Sequence, residues 1–409
     1  MRYVTLVVFI VMISGFGPRS AWARVTLQPT FSLLQEYTDN LFLTDRNPTD
    51  DWLTLVEPGI GMTVVGPLLD ADIDYSLRLR YYHELTEENQ TNLRDAQRAS
   101  ALIQLQPSRD LSVLIDGDID RVTIDTRDPG VDESELVNST NQYHLAITPQ
   151  YRWTISNDNS LTLSYRNERF LYRAQAGDDV KSHEWRAIYA YDVTAATTWN
   201  LTYAYLFHFA EVNMDFEKQL INAGLTHRIS PRFRLAIEGG PVTIEYFDET
   251  EESWTRWDVL TDYTLSPKTS VYLSYEQDTE LSVDRGLSRI QIVTLNVVYE
   301  GNARIDAELF WDEEIFSEDR TEDRAIGTSL MMRVPLSGRY FTEIIGLYRT
   351  LEFLPANEKT DRYSVRGALG YTLSTGTLMC GYMYRVNRST VEENDYRNNL
   401  YTLSAQLRF

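Results

Sequence analysis

The chain has 409 residues and a formal net charge of −22 at pH 7, with 26 Tyr, 15 Phe and 8 Trp. So acidic a composition disfavours nucleic acid as a partner, because a surface that binds nucleic acid has to be basic. The single cysteine, Cys380, excludes an intramolecular disulfide framework. The many tyrosines and tryptophans favour β-strands and membrane interfaces.

The N-terminal residues have the pattern of a secretory signal. Arg2 supplies a positive start, residues 4–13 form an apolar core, and residues 21–23 form a small-x-small cleavage site. An N-terminal membrane anchor is the alternative, but the apolar run is shorter than the roughly 20 residues that span a bilayer. We therefore expect a signal peptide at residues 1–23 and one exported domain at residues 24–409.

Segments in which apolar and polar residues alternate recur through the rest of the chain. The clearest covers residues 70–80, where Ala71, Ile73 and Tyr75 alternate with aspartates, and residues 199–207 and 303–311 repeat the pattern. Successive side chains of a strand point to opposite faces. Alternating segments of about ten residues are typical of transmembrane β-barrels.

Short turns and longer acidic connections alternate between these segments. Turn-forming residues cluster at 66–67, 107–110, 156–159, 195–196, 230–232, 266–269, 300–302, 335–338 and 374–376. The acidic connections lie near 38–51, 84–94, 125–139, 174–181, 212–216, 247–252, 281–286, 316–322, 353–360 and 389–396. Nine turns and ten loops predict about twenty strands; eighteen is the alternative, because two segments alternate poorly (25–35 and 322–334).

The fold class that follows is all-β. We predict a single transmembrane antiparallel up-and-down β-barrel with short periplasmic turns and longer outer loops. A soluble β-sandwich is the alternative, but it would not usually show the regular alternation of long and short connections.

The last nine residues strengthen this prediction. Tyr401, Leu403, Leu407 and Phe409 lie on one face of a strand, and polar residues lie on the other. The segment looks like the terminal strand of a bacterial outer-membrane β-barrel. Its closing phenylalanine resembles the signal that the barrel-assembly machinery reads.

The polar faces of the predicted strands give a mixed-charge lining to the lumen. The candidates are Asp70, Asp72, Asp74, Arg78, Arg80, Asp116, Asp118, Asp120, Arg152, Arg166, Arg186, Arg234, Asp258, Asp262, Asp306, Glu308, Arg366 and Arg408. Residues of the lumen tune selectivity in such barrels. Cross-strand ion pairs that brace the wall are the alternative role.

Three further lumen candidates are Tyr82, His144 and His208, which would offer hydrogen bonds or stacking surfaces to sugars or would be ordinary lining residues. The strands and turns leave no residues for a separate plug domain. Among the loops, we expect only 38–51, 84–94 and 125–139 to be able to fold inward.

The sequence lacks the signatures of catalysis. Its five histidines are scattered, with no His-x-x-x-His pair, and no cysteine cluster offers metal ligands. A Gly-x-Ser-x-Gly nucleophile elbow is also missing. We expect no enzyme activity, no catalytic residues, no cofactor and no metal.

One short stretch resembles a known family. Residues 35–44, which include Glu36-Tyr37-Thr38-Asp39-Asn40, and residues 53–60, which include Pro58-Gly59, are similar to the opening of a family of outer-membrane β-barrel proteins. That family is found with exopolysaccharide gene clusters, including those associated with the PEP-CTERM sorting system. The resemblance implies a porin-like barrel in the outer membrane that takes part in polysaccharide export, and it transfers no functional residue.

These observations lead to one main hypothesis and two alternatives. The main one is a conduit or anchor for an exported polysaccharide that works with a periplasmic export protein, and the acidic balance favours a neutral or mixed-charge glycan. The alternatives are a diffusion porin for small solutes and a barrel that sheathes a periplasmic secretion or electron-transfer partner. The expected surroundings are outer-membrane lipid and lipopolysaccharide.

Overall fold

The computed structural model describes residues 23–125, 136, 139–173, 177–283, 285–318 and 320–409, so all of the predicted signal peptide except Ala23 lies outside the described residues. In this part of the chain, 21 strands form one sheet. The strands are β1 (Arg24–Thr38), β2 (Asp51–Val65), β3 (Leu69–Leu77), β4 (Leu79–Tyr82), β5 (Gln97–Leu105), β6 (Leu111–Thr123), β7 (Ser139–Thr154), β8 (Asn159–Tyr172), β9 (Val180–Thr194), β10 (Thr197–Ala210), β11 (Phe216–Ser230), β12 (Phe233–Tyr246), β13 (Glu251–Ser266), β14 (Thr269–Ser282), β15 (Gly286–Glu300), β16 (Arg304–Phe316), β17 (Glu322–Ser337), β18 (Tyr340–Leu354), β19 (Glu358–Thr372), β20 (Gly376–Ser389) and β21 (Tyr396–Arg408).

Strands β3 and β4 are two halves of one barrel strand. Both pair with β2, and the ladder is interrupted between the pairs Gly59↔Ser76 and Val56↔Leu79. Pro58, which has no N–H to donate, lies opposite this break. The barrel therefore has twenty strands, which confirms the predicted all-β single barrel.

The barrel is closed by its first and last strands. β1 and β21 pair antiparallel from Thr30↔Arg408 to Thr38↔Leu400, and the other strands pair with their neighbours along the chain. Closure satisfies the backbone groups that an open edge would expose, which a lipid environment requires. The last backbone N–H, of Phe409, donates to the Pro29 carbonyl at 3.0 Å.

The connections alternate as predicted. Those at the end that holds both termini (the turn end) are tight, such as residues 195–196 and 231–232, whereas the loop end holds longer ones, such as 39–50 and 83–96. In the described parts of the loops there are one short α-helix, α1 (Leu93–Ala96), and two 3₁₀ turns, Thr86–Glu88 and Glu392–Asn394. Among the described residues, no helix is long and apolar enough to cross a membrane.

The sheet has an apolar outer face and a polar inner face. Large apolar side chains such as Trp185, Leu201 and Leu309 are exposed on the outer face, with Trp185 and Leu309 each 56% accessible. The other face is identified by Lys218 of β11, whose Nζ lies 3.0 Å from Asp278 of β14. Adjacent strands are about 4.8 Å apart, so side chains three strands apart can meet only on the concave, inner face of a barrel.

Residues 38–40 of the family-like motif hold the closing pair of strands together at the loop end. The buried Asn40 donates to the carbonyls of Thr44 and Arg397, at 2.8 and 3.0 Å. Asn398 of β21 donates to the Asn40 carbonyl at 2.9 Å and accepts from Thr38 Oγ1 at 3.2 Å. The motif thus forms a clasp across the seam, which we call the seam clasp.

Asp39 completes the seam clasp. Its carboxylate accepts the backbone N–H of Asn399 at 2.7 Å and the side-chain amide of Asn399 at 2.6 Å. A carboxylate acceptor makes these bonds charge-assisted, and therefore stronger than bonds between neutral groups. Both sides of the closing strand pair are fixed in one register by these contacts.

We expect Asn398→Ala to lower the free energy of unfolding by about 2 kcal/mol, because it removes two buried hydrogen bonds of about 1 kcal/mol each. Asn398 is only 3% exposed. The measurement is urea unfolding of the barrel in lipid vesicles, followed by the heat-modifiable mobility shift on gels. Asn302→Ala, in an exposed turn at the other end, is the matched control and should leave the transition unchanged. Equal transitions for the two variants would show that the seam clasp does not stabilise closure.

Candidate functional site in the barrel lumen

The inner wall of β6–β8 carries a connected ion-pair network. Arg166 binds both carboxylate oxygens of Asp116, at 3.1 and 3.2 Å, and lies 2.6 Å from Glu168. His144 lies between Asp118 at 2.8 Å and Glu168 at 2.9 Å. Five charged or polar side chains from three neighbouring strands therefore fix one another on the lumen side.

A second network joins β11–β14. Arg256 lies 2.8 Å from Asp278 and 3.5 Å from Glu238. Lys218 also binds Asp278, and the buried Asn222 donates to Glu238 at 2.9 Å. The Lys218–Asp278 contact links two strands that are not neighbours and thus braces the concave face.

The predicted lining residues at the start of the chain lie on the inner face near β2. Asp72 accepts from Thr63 at 3.1 Å, and Asp70 accepts the Gly66 N–H at 3.2 Å. Asp74 lies opposite Gly61 in the register. Arg78 lies 3.1 Å from Glu57.

The other predicted arginines are spread around the wall. The buried Arg80 donates to Gln90 at 2.7 Å, and Arg186 lies 2.8 Å from Glu184. Arg152 donates to Ser160 at 3.5 Å. Arg234 lies directly opposite Asp262, and Arg366 lies opposite Met383. The structure therefore does not gather the predicted lining residues into one site; it distributes them around the lumen.

The charges of the inner wall are nonetheless separated by sign. In β13–β16, the inward register positions carry eleven carboxylates and two arginines, Arg256 and Arg304. These carboxylates are Glu252, Asp258, Asp262, Glu276, Asp278, Glu280, Glu300, Asp306, Glu308, Asp312 and Glu314. In β18–β21, the inward positions carry five arginines (Arg349, Arg362, Arg366, Arg385 and Arg408) and two glutamates (Glu343 and Glu358). One wall of the lumen is therefore acidic and another is basic.

A cavity of about 700 Å³ lies against the inner wall on both sides of the seam. Hydroxyl and amide side chains contribute much of its polar surface: Thr30, Ser32, Ser76, Ser100, Thr377 and Gln406. Predicted lining residues also contribute, namely Asp74, Arg78, Asp118, Asp120 and Arg408. Arg98 lies 3.0 Å from Asp120, so part of this charge is paired.

Several important lining residues were not singled out from the sequence. Glu57, Glu168, Lys218, Arg256 and Asp278 all form ion pairs on the inner face. The sequence could have indicated Arg256, because it lies two positions before the predicted lining residue Asp258 and therefore on the same face of the strand. Strand alternation indicates the face of such residues, but pairing across two or three strands depends on barrel curvature.

The three candidates for sugar contacts differ in their accessibility. Tyr82 is buried in a cluster with Leu41 and Leu53, beneath the first loop. His144 is held in the ion-pair network of β6–β8. His208 is buried, with its ring stacked on Phe216 at 4.4 Å between centroids. Burial beneath the first loop favours the alternative role for Tyr82, that of an ordinary lining residue, and His208 is buried to a similar degree.

The loop end is crossed by contacts between distant loops. The Asp178 carboxylate accepts the backbone N–H groups of Glu211 and Val212 at 2.8 Å and of Asn213 at 3.0 Å. The Asp178 N–H donates to the Val283 carbonyl at 3.1 Å. We call these residues, with Met214 and Glu318, the mouth bridge.

Glu318 extends the mouth bridge to the loop between β16 and β17. It accepts the Met214 N–H at 3.0 Å, although their loops are separated by six strands. The expectation that only three loops fold inward is therefore wrong, because backbone hydrogen bonds to two carboxylates let short loops reach across the mouth. Residues 39–50 and 83–96 do pack inward, whereas most of 125–139 lies outside the described residues.

The predicted assembly signal lies at the closing strand. Tyr401, Leu403 and Phe409 are exposed on the outer face. The Tyr401 ring lies between those of Tyr37 of β1 and Tyr382 of β20, tilted to both, at 6.2 and 5.0 Å between ring centroids. Across the residues that the structure describes, there is no group of three or more His, Cys, Asp or Glu side chains that could hold a metal ion.

Comparison with known proteins shows the fold. No protein-family model and no curated protein matches the chain. The siderophore receptor PirA from Acinetobacter baumannii is similar in structure, with a TM-score of 0.51, 6% identity, and coverage of 94% of this chain and 81% of that chain. A mutant of the ferric enterobactin receptor PfeA from Pseudomonas aeruginosa has a TM-score of 0.51 at 8% identity, covering 95% and 81%.

The FrpB iron transporter from Neisseria meningitidis is also similar, with a TM-score of 0.50, 9% identity, and coverage of 93% of this chain and 82% of that chain. At these identities the likeness is one of fold. The chain has the architecture of an outer-membrane β-barrel, and its exposed apolar outer face suits that location.

Proposed function

We propose that this barrel is an outer-membrane conduit for an exported polysaccharide and that it works with a periplasmic export protein. The observation that carries the proposal is the 700 Å³ cavity beside the seam, whose wall alternates hydroxyl and amide groups with charged residues. Such groups exchange hydrogen bonds with a sliding sugar chain without holding any one unit tightly. The proposal assigns no bond chemistry to the barrel.

The charge of the lumen supports a particular class of polymer. Eleven carboxylates on the inner face of β13–β16 would repel a strongly anionic chain. Five inward arginines on β18–β21 would attract negative groups only along one wall. A neutral or mixed-charge glycan suits both walls.

The structures similar to this one are, by name, two receptors and a transporter. This supports a role for the barrel in moving solutes. The resemblance of the motif at residues 35–44 supports polysaccharide as the cargo. We further propose that Phe409 and the closing strand are read by the barrel-assembly machinery and that the outer face contacts lipid and lipopolysaccharide.

The test is deletion of the gene in its host, with surface polysaccharide and small-solute uptake measured together. The proposal predicts loss of surface polysaccharide, unchanged uptake, and restoration of the polysaccharide by the wild-type gene. Persistence of the polysaccharide with reduced uptake would contradict it and favour a diffusion porin.

A further inference from the structure

Two cations face each other on the outer face of the barrel, near the loop end. Arg169 of β8 and Lys181 of β9 lie directly opposite each other in the strand register, and we call them the cation pair. Both side chains are exposed, and neither makes a hydrogen bond or an ion pair with any residue that the structure describes. Like charges directly opposite each other destabilise a pair of strands. An anion bound between the two side chains would remove this repulsion.

Other outward cations near the loop end are placed differently. Lys359 of β19 lies opposite Glu352 of β18. Arg388 of β20 lies opposite Asp361 of β19. The wall therefore compensates exposed cations at this height with carboxylates from the neighbouring strand, and at the cation pair it does not.

The cation pair lies at the edge of the apolar belt. Along β9, the outward positions from Trp185 to Val193 carry aromatic or apolar side chains, and His183 and Lys181 follow them towards the loop end. Phe209 of β10 lies directly opposite Lys181. Aromatic girdles mark the two interfaces of a transmembrane barrel. The cation pair is therefore at the height of the lipid headgroups.

His183 provides a hydrogen-bond donor next to the cation pair. The side-chain amide of Asn167 donates to His183 Nδ1 at 3.0 Å, and the Tyr165 hydroxyl lies 2.6 Å from the same atom. Because Nδ1 accepts, the ring proton is on Nε2, which has no hydrogen-bond partner among the described residues. The ring is held by stacking on Tyr165 at 6.0 Å between centroids. A fixed N–H donor is thus available at the boundary between headgroups and acyl chains.

We propose that the cation pair binds a phosphate group of a lipopolysaccharide molecule and that His183 Nε2–H donates to a carbonyl of its acyl linkages. A phosphate monoester carries about −1.5 to −2 charges at pH 7, which two cations match. A zwitterionic phospholipid fits less well, because its own ammonium group already compensates its phosphate. The acyl chains pack on Trp185 and Phe209, which are 56% and 38% exposed. This inference deepens the proposed contact of the outer face with lipopolysaccharide and rests on it, but it does not depend on the cargo.

The test is native mass spectrometry of the purified full-length barrel in detergent during titration with three lipids. They are bisphosphorylated lipid A (the membrane anchor of lipopolysaccharide), the same lipid A after removal of both phosphates, and phosphatidylethanolamine. The wild type should bind the dephosphorylated lipid A about 25-fold more weakly than the bisphosphorylated form. Each cation near an anionic lipid contributes about 1 kcal/mol, and about 1.4 kcal/mol corresponds to a tenfold change. Phosphatidylethanolamine should also bind more weakly than bisphosphorylated lipid A.

Replacing both cations, Arg169→Gln with Lys181→Gln, should weaken binding of bisphosphorylated lipid A about 25-fold and leave binding of the dephosphorylated form unchanged. The matched control is Lys359→Gln with Arg388→Gln, which removes the same charge from the same end of the outer face and should keep the affinity of the wild type. Heat-modifiable mobility verifies folding. Each single variant, with an expected loss of about fivefold, replaces the double variant if that one does not fold.

His183→Phe should weaken binding of both forms of lipid A about fivefold, which is the effect of one lost hydrogen bond of about 1 kcal/mol. The loss should not depend on phosphate, because the partner of His183 is a carbonyl. This variant retains an aromatic ring, so packing against Tyr165 and the acyl chains is kept.

Equal binding of the two forms of lipid A by the wild type, an unchanged affinity of the double variant, or an equal loss in the control would each overturn the inference. So would phosphatidylethanolamine bound as tightly as bisphosphorylated lipid A. Gene deletion tests the export proposal separately. If lipid A binds as expected while the deletion strain keeps its surface polysaccharide, the export proposal fails and the lipid site stands; the reverse pair of results leaves export standing without the lipid site.

Discussion

Replacing Asp178 by alanine should open the loop end of the barrel and lower its stability by about 3 kcal/mol. The Asp178 side chain is buried, at 4% exposed, and it accepts three backbone N–H groups from the loop at residues 211–215. Each hydrogen bond to a charged group contributes about 1.5–3 kcal/mol, and some of these N–H groups will bind water in the variant. The loop would leave the mouth, so single-channel conductance in planar bilayers should rise.

Asp248→Ala is the matched control for this experiment. Asp248 also accepts hydrogen bonds in a loop, but only from its neighbour Thr250, at 3.0 Å from the N–H and 2.6 Å from the hydroxyl. These bonds lower the pKa of the Asp248 carboxyl, yet they do not cross the mouth. The control should keep the conductance of the wild type. A wild-type conductance for Asp178→Ala as well would show that the mouth bridge does not restrict the pore.

Leu309→Arg should lower the free energy of unfolding in lipid by about 2–4 kcal/mol, which is the effect of a cation on the lipid face at the bilayer midplane. Leu309 lies near the middle of β16 and is 56% exposed on the outer face. The measurement is equilibrium unfolding of the barrel in phospholipid vesicles with guanidinium chloride.

The control is a substitution at Glu308, the residue before Leu309 in the strand. Glu308→Arg places the same side chain one residue away, on the inner face, opposite Asn296 and Ser329. There the arginine would lie in a wall rich in carboxylates, so stability should change by less than about 1 kcal/mol. Equal losses for the two variants would contradict the assignment of the lipid and lumen faces.

Strand alternation was sufficient to predict the barrel. The pattern of period two at residues 70–80 and 303–311 reflects the two environments of each strand, and turn chemistry located the connections. Even the poorly alternating segments 25–35 and 322–334 proved to be parts of β1 and β17. In a closed barrel every strand pairs on both edges, so β1 and β17 are needed to join the strands on either side of them.

The contacts within the lumen could not be predicted in the same way. The pairing of Lys218 with Asp278 depends on the curvature that brings β11 and β14 together. The mouth bridge depends on Asp178 and Glu318 binding backbone N–H groups of the loop at 211–215. Backbone donors have no signature in the sequence, so loop length alone underestimated how far these loops reach.

The motif at residues 36–40 shows how a family resemblance and a physical role can be separated. Its sequence suggested a family associated with polysaccharide export, whereas its hydrogen bonds to Asn398 and Asn399 give it a role in barrel closure. Closure is needed by a barrel with any cargo. The identity of the transported molecule has therefore to be inferred from the side chains that line the lumen.

Flux of a labelled neutral oligosaccharide through the purified barrel in liposomes is the most direct measurement. We predict that wild-type proteoliposomes release the oligosaccharide faster than protein-free liposomes, that Asp178→Ala releases it faster still, and that an oligosaccharide of uronic acids is retained. Release no faster than from protein-free liposomes, for both the wild type and Asp178→Ala, would contradict a carbohydrate conduit.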